Sequence, residues 1–402
     1  MHSLNRKKLA YTAFCLLLLL ASVFLFRTGN ASSEAASPVN RPIAPKPDSL
    51  VSITLSAVGD LMCHMPQVNN SLVSENVYDF DPSFSEIKNY LSAADLTIGN
   101  LETTCAGREK GYSGYPQFNS PDEYVTAIKN AGFDFLVTSN NHSMDTEEKG
   151  LLRTLEVVRK NNLRSTGTFL SQADRDSFRI LDMKGIKTGF LNYTYGTNGL
   201  LPSEDHKYML NVIDTVLLQK DITSIRKKGA EIVIVLFHFG SEYISDPTDA
   251  QKLAARKSIQ YGADIILGAH THVIGPVEFF KTTASKLDSG LVAWSLGNFI
   301  SNQGKRYSDA GVIFNIQLTK NIHTGAVRIS SADFIPTWVY RGTNPLKKSH
   351  IVFPAEKCRL DTVASFIDST SKQKMKEAFE DTKAVMTKYS SKVQLKSIMT
   401  EK

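Results

Sequence analysis

The chain has 402 residues, of which 42% are hydrophobic and 21% are charged, a composition that excludes an intrinsically disordered protein. Its formal net charge of +6 is spread along the sequence without a long block of lysine and arginine, so nucleic acid is not expected as a partner. The length is compatible with two domains or with one large α/β domain, and composition does not choose between them.

Cysteine chemistry is not expected at the functional site. The four cysteines, Cys15, Cys63, Cys105 and Cys358, form no CxxC pair that would predict a zinc or redox site. Cys15 lies in an apolar N-terminal segment, so at most one disulfide can form among the other three. The sequence does not identify its pairing.

The N-terminal segment predicts membrane attachment. Residues 9–26 are nearly continuous apolar sequence and follow the basic residues Arg6, Lys7 and Lys8. As a helix they reach about 27 Å, close to the roughly 30 Å hydrocarbon thickness of a bilayer. We therefore expect residues 1–27 to form a single-pass anchor in the cell membrane, with a cytoplasmic N-terminus and an extracytoplasmic main domain. Cleavage as a secretory signal is the alternative.

Residues 28–49 hold four prolines among small polar residues, which predicts an extended linker. A folded domain is predicted at residues 50–340, and a partly helical C-terminal extension at residues 341–402. Apolar runs such as "SLVSITLSAVGD", "ADLTIGNLE" and "AEIVIVLFHFGSEY" alternate with helical stretches, which indicates parallel α/β units. The later runs "LVAWSLGNFI", "AGVIFNIQLT" and "VRISSADFIP" have little helix between them and indicate a more antiparallel portion.

Five predicted strands end in polar residues that could bind metal. Because ligands of open α/β sheets lie beyond the carboxyl ends of the strands, we expect these residues to converge. Carboxylate and imidazole ligands suit Zn²⁺, Mn²⁺ or Fe, and a bridging carboxylate holds two such ions about 3.5–4 Å apart. Such a pair polarises a phosphoryl or carbonyl oxygen, which favours hydrolysis. The strand-end residues are Asp60, Glu102, Asn141 with His142, His238, and His270 with His272.

The spacing of the last two histidines is informative by itself. In "GAHTH", an extended backbone would place the rings of His270 and His272 on one face, where they reach adjacent ions.

Six motifs together resemble one known family. "GDLM", "GNLE", "SNNHSMD", "HFGSEY", "GAHTHV" and "SLGNF", in this order between residues ~51 and 336, resemble the CapA/PgsA family of capsule and poly-γ-glutamate biosynthesis proteins. That family is similar to the calcineurin-like metallophosphoesterases. The resemblance implies an α/β sandwich of two mixed β-sheets flanked by helices.

The resemblance also implies residue roles. It implies that Asn100 supports Glu102 and that Asp145 orients His142, which stabilises charge or donates a proton to the leaving group. Two roles stay open: Asn298 positions substrate or closes a turn, and Glu242 with Tyr243 faces substrate or belongs to an ordinary loop. The implied metal ligands are Asp60, Glu102, Asn141, His238, His270 and His272.

The first strand departs from the superfamily pattern. The superfamily has Asp-x-His there, whereas this chain has Asp60-Leu61-Met62, so the first metal site lacks one ligand. His64 is a possible substitute, and an ordinary loop histidine is the alternative. We therefore expect one tight divalent ion, held by Glu102, Asn141, His238 and His270, and one weak ion, held by Asp60, Glu102 and His272.

The resemblance implies a CapA-like protein that makes, exports or releases an anionic surface polymer, such as poly-γ-glutamate or other capsular material, through a metal-dependent hydrolase-type site. The expected partners are this polymer, the membrane and membrane synthase subunits. One alternative is a non-catalytic, metal-binding accessory subunit of a polymer synthase. A second alternative is a secreted metallophosphatase.

Overall fold

The computed structural model describes residues 49–282, 285–345, 348–360 and 363–399. The predicted anchor at residues 1–27 and most of the predicted linker lie outside these ranges. Among the described residues, no helix combines the length and the apolar character needed to cross a membrane.

The described residues form strands and helices in an alternating order that gives way to successive strands after residue 265. The strands are β1 (Leu50–Leu61), β2 (Leu72–Ser74), β3 (Val77–Tyr78), β4 (Leu96–Leu101), β5 (Phe135–Val137), β6 (Arg164–Thr166), β7 (Arg179–Met183), β8 (Ile186–Thr194), β9 (Ile232–His238), β10 (Ile265–Ala269), β11 (Val277–Lys281), β12 (Ser289–Ala293), β13 (Asn298–Ile300), β14 (Ala310–Asn321), β15 (Val327–Tyr340), β16 (Ile351–Pro354) and β17 (Val393–Leu395). The α-helices are α1 (Met65–Ser71), α2 (Lys88–Leu91), α3 (Asp122–Asn130), α4 (Glu147–Lys160), α5 (Gln172–Asp176), α6 (Thr215–Lys227), α7 (Asp249–Tyr261) and α8 (Ser369–Met386).

Two mixed sheets form the centre of the fold. The first sheet has the order β16-β15-β14-β1-β4-β5-β6, and in addition β13 pairs with β1 and β17 pairs with β15. The second sheet has the order β11-β12-β10-β9-β8-β7. Strands β1, β4, β5 and β6 are parallel, as are β8, β9 and β10, whereas β14, β15 and β16 run antiparallel to their neighbours. The predicted α/β class with two mixed sheets is confirmed.

The sheets pack face to face through a core of buried hydrophobic side chains. The ring of Phe135 in the first sheet lies 4.8 Å from the ring of Phe190 in the second sheet. Ile53 and Phe314 of the first sheet belong to the same buried cluster as Ile265 of the second. Each buried side chain of this size contributes about 1.5–3 kcal/mol of hydrophobic free energy. This shared core fixes the two sheets against each other.

Helices cover the outer faces, which explains why the central strands read as unbroken apolar runs. In β9, Ile232 and Ile234 face the inter-sheet core, while Val233 and Val235 belong to a second buried cluster with residues of α6 and α7. Successive side chains of a strand point to opposite faces, so a strand buried on both faces is apolar at every position.

The helix α7 shows how local sequence sets an element's ends. The Thr248 hydroxyl accepts a hydrogen bond from the backbone N–H of Gln251, whose side chain in turn caps the Thr248 N–H. Gly262 ends the helix at φ +106°, a left-handed conformation that glycine adopts without a Cβ penalty.

The C-terminal residues join the first sheet. Strand β16 pairs antiparallel with β15, and β17 pairs with β15 in parallel. Helix α8 packs Met375 and Phe379 against Trp338 and Phe353 of these strands. The helix thereby covers part of the sheet near the loops that follow β13.

An ion-pair network links the two sheets at the edge opposite the strand ends named above. Glu231, which precedes β9, accepts a hydrogen bond from Lys320 of β14 at 2.7 Å and pairs with Lys286 as well. Burial raises the pKa of Glu231, but the two lysines outweigh it and hold the pKa at about 2. The folded state therefore favours the ionised carboxylate.

We expect Glu231→Gln to lower the free energy of unfolding by roughly 1 kcal/mol at neutral pH, since these pairs are partly screened by solvent. Because the folded pKa is depressed from an ordinary value of 4.5, the stabilisation is complete above pH 4.5 and is lost as the pH falls towards 2. Urea unfolding at several pH values measures the difference from wild type. Glu204→Gln, which removes an exposed pair with Lys207, is the control and should change little. A difference that does not shrink below pH 4.5 would contradict this assignment.

Candidate metal centre

The six predicted metal ligands converge at the carboxyl ends of parallel strands from both sheets. Three come from the first sheet, at the ends of β1, β4 and β5, and three from the second, at the ends of β9 and β10. Each of the six side chains is at most 3% exposed. They are Asp60, Glu102, Asn141, His238, His270 and His272.

Asn100 connects the two sheets within the centre. Its side-chain amide nitrogen lies 2.8 Å from Asp60 Oδ1, 3.3 Å from Glu102 Oε2 and 3.2 Å from His238 Nδ1. Its side-chain oxygen accepts a hydrogen bond from Asn140 at 3.2 Å. Asn100 thus contacts Glu102, Asp60 and His238 at once, and its role in supporting Glu102 stays a prediction.

Asp60 and His272 form a buried pair. His272 Nδ1 lies 3.1 Å from Asp60 Oδ2 and 3.0 Å from Asn298 Oδ1. Burial raises the pKa of Asp60, but the hydrogen bond and charge of His272 outweigh it, so the pKa is lowered. Burial lowers the pKa of His272, and Asp60 outweighs it in turn, so that pKa is raised. Each group of the pair thus favours the charged form of the other.

Glu102 is the second buried carboxylate. Burial, followed by the charge of Asp60, raises its pKa well above the ordinary value. Its Oε1 atom lies 3.7 Å from His238 Nε2 and has no hydrogen-bond partner among the described residues. A buried carboxylate beside another carboxylate is stabilised by a proton or by a cation.

His238 and His270 are held as neutral imidazoles. Burial and then the charge of His270 lower the pKa of His238 well below its ordinary value. Burial and then the charge of His272 lower the pKa of His270 to about 4. Neutral imidazole is the form that binds metal. His238 Nε2 lies 2.8 Å from Asn141 Oδ1, and the buried His270 Nδ1 has no partner among the described residues.

The backbone of the "GAHTH" motif differs from the expectation of an extended chain. Strand β10 ends at Ala269, and His270 and His272 have φ values of +95° and +58°, in the left-handed region. The prediction of an extended HxH segment is therefore wrong. The ladder stops because the His270 N–H turns towards the Asp60 carboxylate, 3.4 Å away, and the rings nevertheless lie 6.0 Å apart in the same site. Such strained conformations persist where the surrounding structure fixes them.

His142 stands beside these ligands with its own carboxylate. His142 Nδ1 lies 2.7 Å from Asp145 Oδ2, which also accepts a hydrogen bond from the Phe118 N–H at 2.7 Å. The Phe118 ring packs edge-on against His142 at 4.6 Å. With Nδ1 donating to Asp145, Nε2 is the accepting nitrogen of the neutral ring. The structure therefore places the Asp145 carboxylate against the His142 ring, and the role of orienting His142 for catalysis stays a prediction.

The residues with open roles are placed differently from one another. Asn298 is fully buried and donates to the Ser308 carbonyl at 2.8 Å while it contacts His272, so it fixes that ring. Glu242 is exposed, and Tyr243 is half exposed with its ring 6.0 Å from that of His272. His64 contacts the Ser301 hydroxyl at 3.2 Å.

Two residues that contact this site were not predicted from the sequence. Asn140 bonds to Asn100, and Tyr195 places its ring 4.5 Å from that of His270. A usable signal existed for both. Asn140 precedes Asn141 directly, and Tyr195 follows the apolar run of β8, another strand end.

These side chains fit a divalent transition metal. One donor atom from each of Asp60, Glu102 and His272 lies within 4.8 Å of the others. Glu102 Oε1 and His270 Nδ1 are buried atoms that can coordinate a metal, and neither has a hydrogen-bond partner among the described residues. Mixed carboxylate and imidazole donors suit Mn²⁺, Zn²⁺ or Fe. The number of ions and their relative affinities stay predictions.

We expect Mn²⁺ or Zn²⁺ to raise the Tm of the full-length chain by several degrees, since a ligand at 100 times its Kd adds about 2.7 kcal/mol. Glu102→Gln should abolish this shift, and Glu242→Gln, at an exposed carboxylate nearby, should preserve it. Because a proton competes with the cation for Glu102, whose pKa is raised, the shift should increase as the pH rises. Differential scanning calorimetry tests this, and an equal shift in Glu102→Gln would place the ion elsewhere.

Close backbone approach positions Asp60. The Asp60 N–H donates to the Gly297 carbonyl at 2.9 Å, and a Cβ on Gly59 would lie 1.8 Å from that oxygen. We expect Gly59→Ala to destabilise the fold by about 3 kcal/mol and to weaken metal binding, because the strand must shift. Gly196→Ala, which has open space around its Cβ, is the control in thermal unfolding. Equal stability of the two variants would show that β1 moves without cost.

Comparison with known proteins identifies the family. The family described as "Bacterial capsule synthesis protein PGA_cap" matches residues 54–303. "Capsule biosynthesis protein CapA" of Bacillus anthracis is 28% identical over 320 residues, which are 77% of this chain and 73% of that protein. "PGA biosynthesis protein CapA" of Bacillus subtilis is 28% identical over 298 residues, which are 70% of this chain and 71% of that protein.

Two solved structures are also similar. A phosphatase from Mycoplasma pneumoniae has a TM-score of 0.42 and 15% identity, and covers 71% of this chain and 94% of its own. A calcineurin-like phosphoesterase from Bacillus subtilis has a TM-score of 0.43 and 11% identity, and covers 83% of this chain and 98% of its own. Since both TM-scores are below 0.5, the assignment rests on the sequence matches: the chain belongs to the bacterial capsule synthesis protein family.

Proposed function

We propose that the chain is a membrane-anchored extracytoplasmic protein that takes part in making, exporting or releasing an anionic surface polymer, such as poly-γ-glutamate, and that its buried centre is a divalent-metal hydrolase site. The family assignment supports the polymer, since the two relatives above are named for capsule and PGA biosynthesis. The apolar segment at residues 9–26 supports the anchor and, through it, an association with membrane synthase subunits.

The observation that carries the hydrolase proposal is a group of buried metal-coordinating side chains, two atoms of which have no hydrogen-bond partner among the described residues. Two carboxylates and three imidazoles lie together, and Glu102 Oε1 and His270 Nδ1 make no hydrogen bond among the described residues. A purely structural cluster would satisfy these atoms internally, because an unsatisfied buried polar atom costs about 1–3 kcal/mol. A site that binds a cation accounts for them.

The chain's own residues define what such a site can do. Asp60, Glu102 and His272 would hold one ion, and Asn141, His238 and His270 with Glu102 a second. A bound divalent ion supplies electrophilic activation of a phosphoryl or carbonyl oxygen and of water. Asn100 and Asn298 keep Asp60 and His272 oriented through hydrogen bonds.

In this proposal, His142 is the proton-transfer residue. Its Nδ1 is held by Asp145, and its buried ring packs against Phe118 directly after the ligand Asn141 in the chain. A protonated His142 can donate from Nε2 to a leaving group. Asp145 stabilises the imidazolium and fixes the ring for that transfer.

A non-catalytic accessory role is the second candidate, and one observation favours it. Met62 occupies the position where the wider superfamily has a histidine ligand, and it is 1% exposed. Its carbonyl accepts hydrogen bonds from the Gln67 side chain and the Tyr124 hydroxyl. The segment is therefore fixed in place without offering a nitrogen to the first ion.

Hydrolysis by the metal-loaded, full-length chain separates the two candidates. The substrates are poly-γ-glutamate, followed by chain length, and bis(p-nitrophenyl) phosphate, followed by absorbance. We expect His142→Gln to retain its metal content and to lose activity by about 10²- to 10⁴-fold, because the proton donor is removed.

The matched control is His206→Gln, because His206 also pairs with a carboxylate, Glu148 at 2.6 Å, but lies at the surface. It should keep wild-type activity. Absence of hydrolysis in metal-loaded wild type on both substrates would favour the accessory role instead.

A further inference from the structure

The ion-pair network around Glu231 lines a cavity of about 670 Å³ at the edge of the sheets opposite the metal centre. Its walls come from the turn before β8, the loop between α6 and β9, the loop between β11 and β12, and the end of β14. Strand β9 runs from this edge to the metal ligand His238, so its seven residues, at about 3.3 Å each, separate the two places by roughly 23 Å. We call it the basic cavity, and its charged lining residues are Lys187, Arg226, Glu231, Lys286 and Lys320.

Positive charge exceeds negative charge in the lining of the basic cavity. Four of the charged lining residues are cations and one is an anion. Arg226 pairs with the buried Asp264 and also donates to the Gly262 carbonyl at 2.8 Å, so its charge is already matched. The three lysines have a single lining carboxylate, that of Glu231, among them. A concave surface with unmatched charges of one sign attracts ligands of the opposite sign.

The three lysines differ in how firmly they are held. Lys320 is 15% exposed and donates to Glu231 and to the Gly185 carbonyl, each at 2.7 Å. Lys286 is 52% exposed and pairs with the same carboxylate, whose charge Lys320 already balances. The exposed Lys187 side chain makes no ion pair among the described residues. Lys187 and Lys286 are therefore the two cations that can turn towards a ligand.

Glu231 shows which kind of anion the basic cavity fits. Its carboxylate contacts Lys286 through Oε1 and Lys320 through Oε2, one oxygen for each lysine. A ligand carboxylate between Lys187 and Lys286 would repeat this arrangement. The guanidinium of Arg226 is bonded to Asp264 and to backbone carbonyls, so it offers no open fork for two-point binding of a phosphate. The lining thus suits carboxylates.

The cavity has room for a chain that carries several carboxylates. Its rim is exposed at Lys187, Gly229 and Lys286. A Cβ added at Gly185 or Gly229 would meet no atom within 4 Å, so no side chain closes the cavity at these two points. A single carboxylate on solvent-exposed lysines binds weakly. A polymer gains affinity because each of its carboxylates can replace another at the same lysines.

We propose that the basic cavity is a holding site for an anionic polymer, whose carboxylates bind Lys187 and Lys286 at the edge opposite the metal centre. The inference goes beyond the proposed hydrolysis and rests on the proposed function only for the view that the protein meets such a polymer. While one stretch of the chain is held here, another stretch stays close to the metal centre at a raised effective concentration.

Binding of poly-γ-glutamate to the metal-free, full-length chain tests the proposal. Metal is removed by dialysis, so that no ion at the metal centre contributes, and the Kd is measured by calorimetry at low and at high salt. We expect Lys187→Gln/Lys286→Gln to raise the Kd about tenfold at low salt, since two ion pairs are lost. The difference should shrink at high salt, because exposed charges are screened.

The matched control removes the same charge from other exposed positions. Lys88→Gln/Lys220→Gln changes one lysine of α2 and one of α6, both exposed and outside the cavity lining. It should change the Kd less than about twofold if the cavity, and not the net charge of the chain, binds the polymer.

A third variant should strengthen binding. Glu231→Gln removes the carboxylate that competes for Lys286, so the Kd should fall about two- to fivefold even though the fold is less stable. Tighter binding by a less stable protein does not arise from misfolding. Urea unfolding of each variant confirms that the fold is retained.

Three results would overturn the proposal. The first is no binding of poly-γ-glutamate to wild type, and the second is an equal loss of binding in both double variants. The third is that Lys187→Gln/Lys286→Gln weakens binding of polyphosphate or of phosphatidylglycerol micelles but not of poly-γ-glutamate, which would assign the cavity to phosphate groups or to the membrane. Hydrolysis is measured separately on the metal-loaded chain, so an inactive metal centre would remove the proposed hydrolase function without altering these binding results.

Discussion

Asp60 and Glu102 bury two carboxylates at the ends of neighbouring parallel strands, and each is fully shielded from water. Taking such charges out of water costs several kcal/mol each unless they are compensated. The compensation organises the site. His272 and Asn100 bond to Asp60, burial and the Asp60 charge raise the pKa of Glu102, and burial lowers the pKa values of His238 and His270, which favours their neutral form.

This arrangement requires unusual backbone conformations and one very close backbone contact at the strand ends. His270 and His272 adopt left-handed backbone conformations, and Gly59 permits a contact with Gly297 that no other residue would allow. The inter-sheet core, in which Phe135 meets Phe190, supplies the rigidity that holds these strained segments. Strain is thus concentrated at the strand ends, and ordinary packing fills the remainder of the sheets.

The positions at the strand ends were predictable because the sequence changes there from an apolar run to polar residues. An apolar run such as β9 defines where the strand ends, and the first polar residue after it, His238, then points to the shared edge. The backbone of His270 and His272 was not predictable, because their φ values depend on a contact with Asp60, more than 200 residues earlier. The role of Asn298 stayed ambiguous and Tyr195 was missed for the same reason. Their partners, His272 and His270, follow a strand that is distant in the sequence or in another sheet. The predicted anchor lies outside the described residues and stays a prediction.

The origin of the ligands in both sheets has a consequence for the lifetime of the protein. Asp60, Glu102 and Asn141 belong to one sheet, and His238, His270 and His272 to the other, so a bound ion would tie the sheets together much as a disulfide ties two segments of chain. Separating the sheets would then require release of the ion, and its binding free energy would add to the barrier against unfolding. Where metal is scarce, the same molecule would open more often and meet proteases sooner. Metal supply would in this way set how long the protein persists, in addition to what it does.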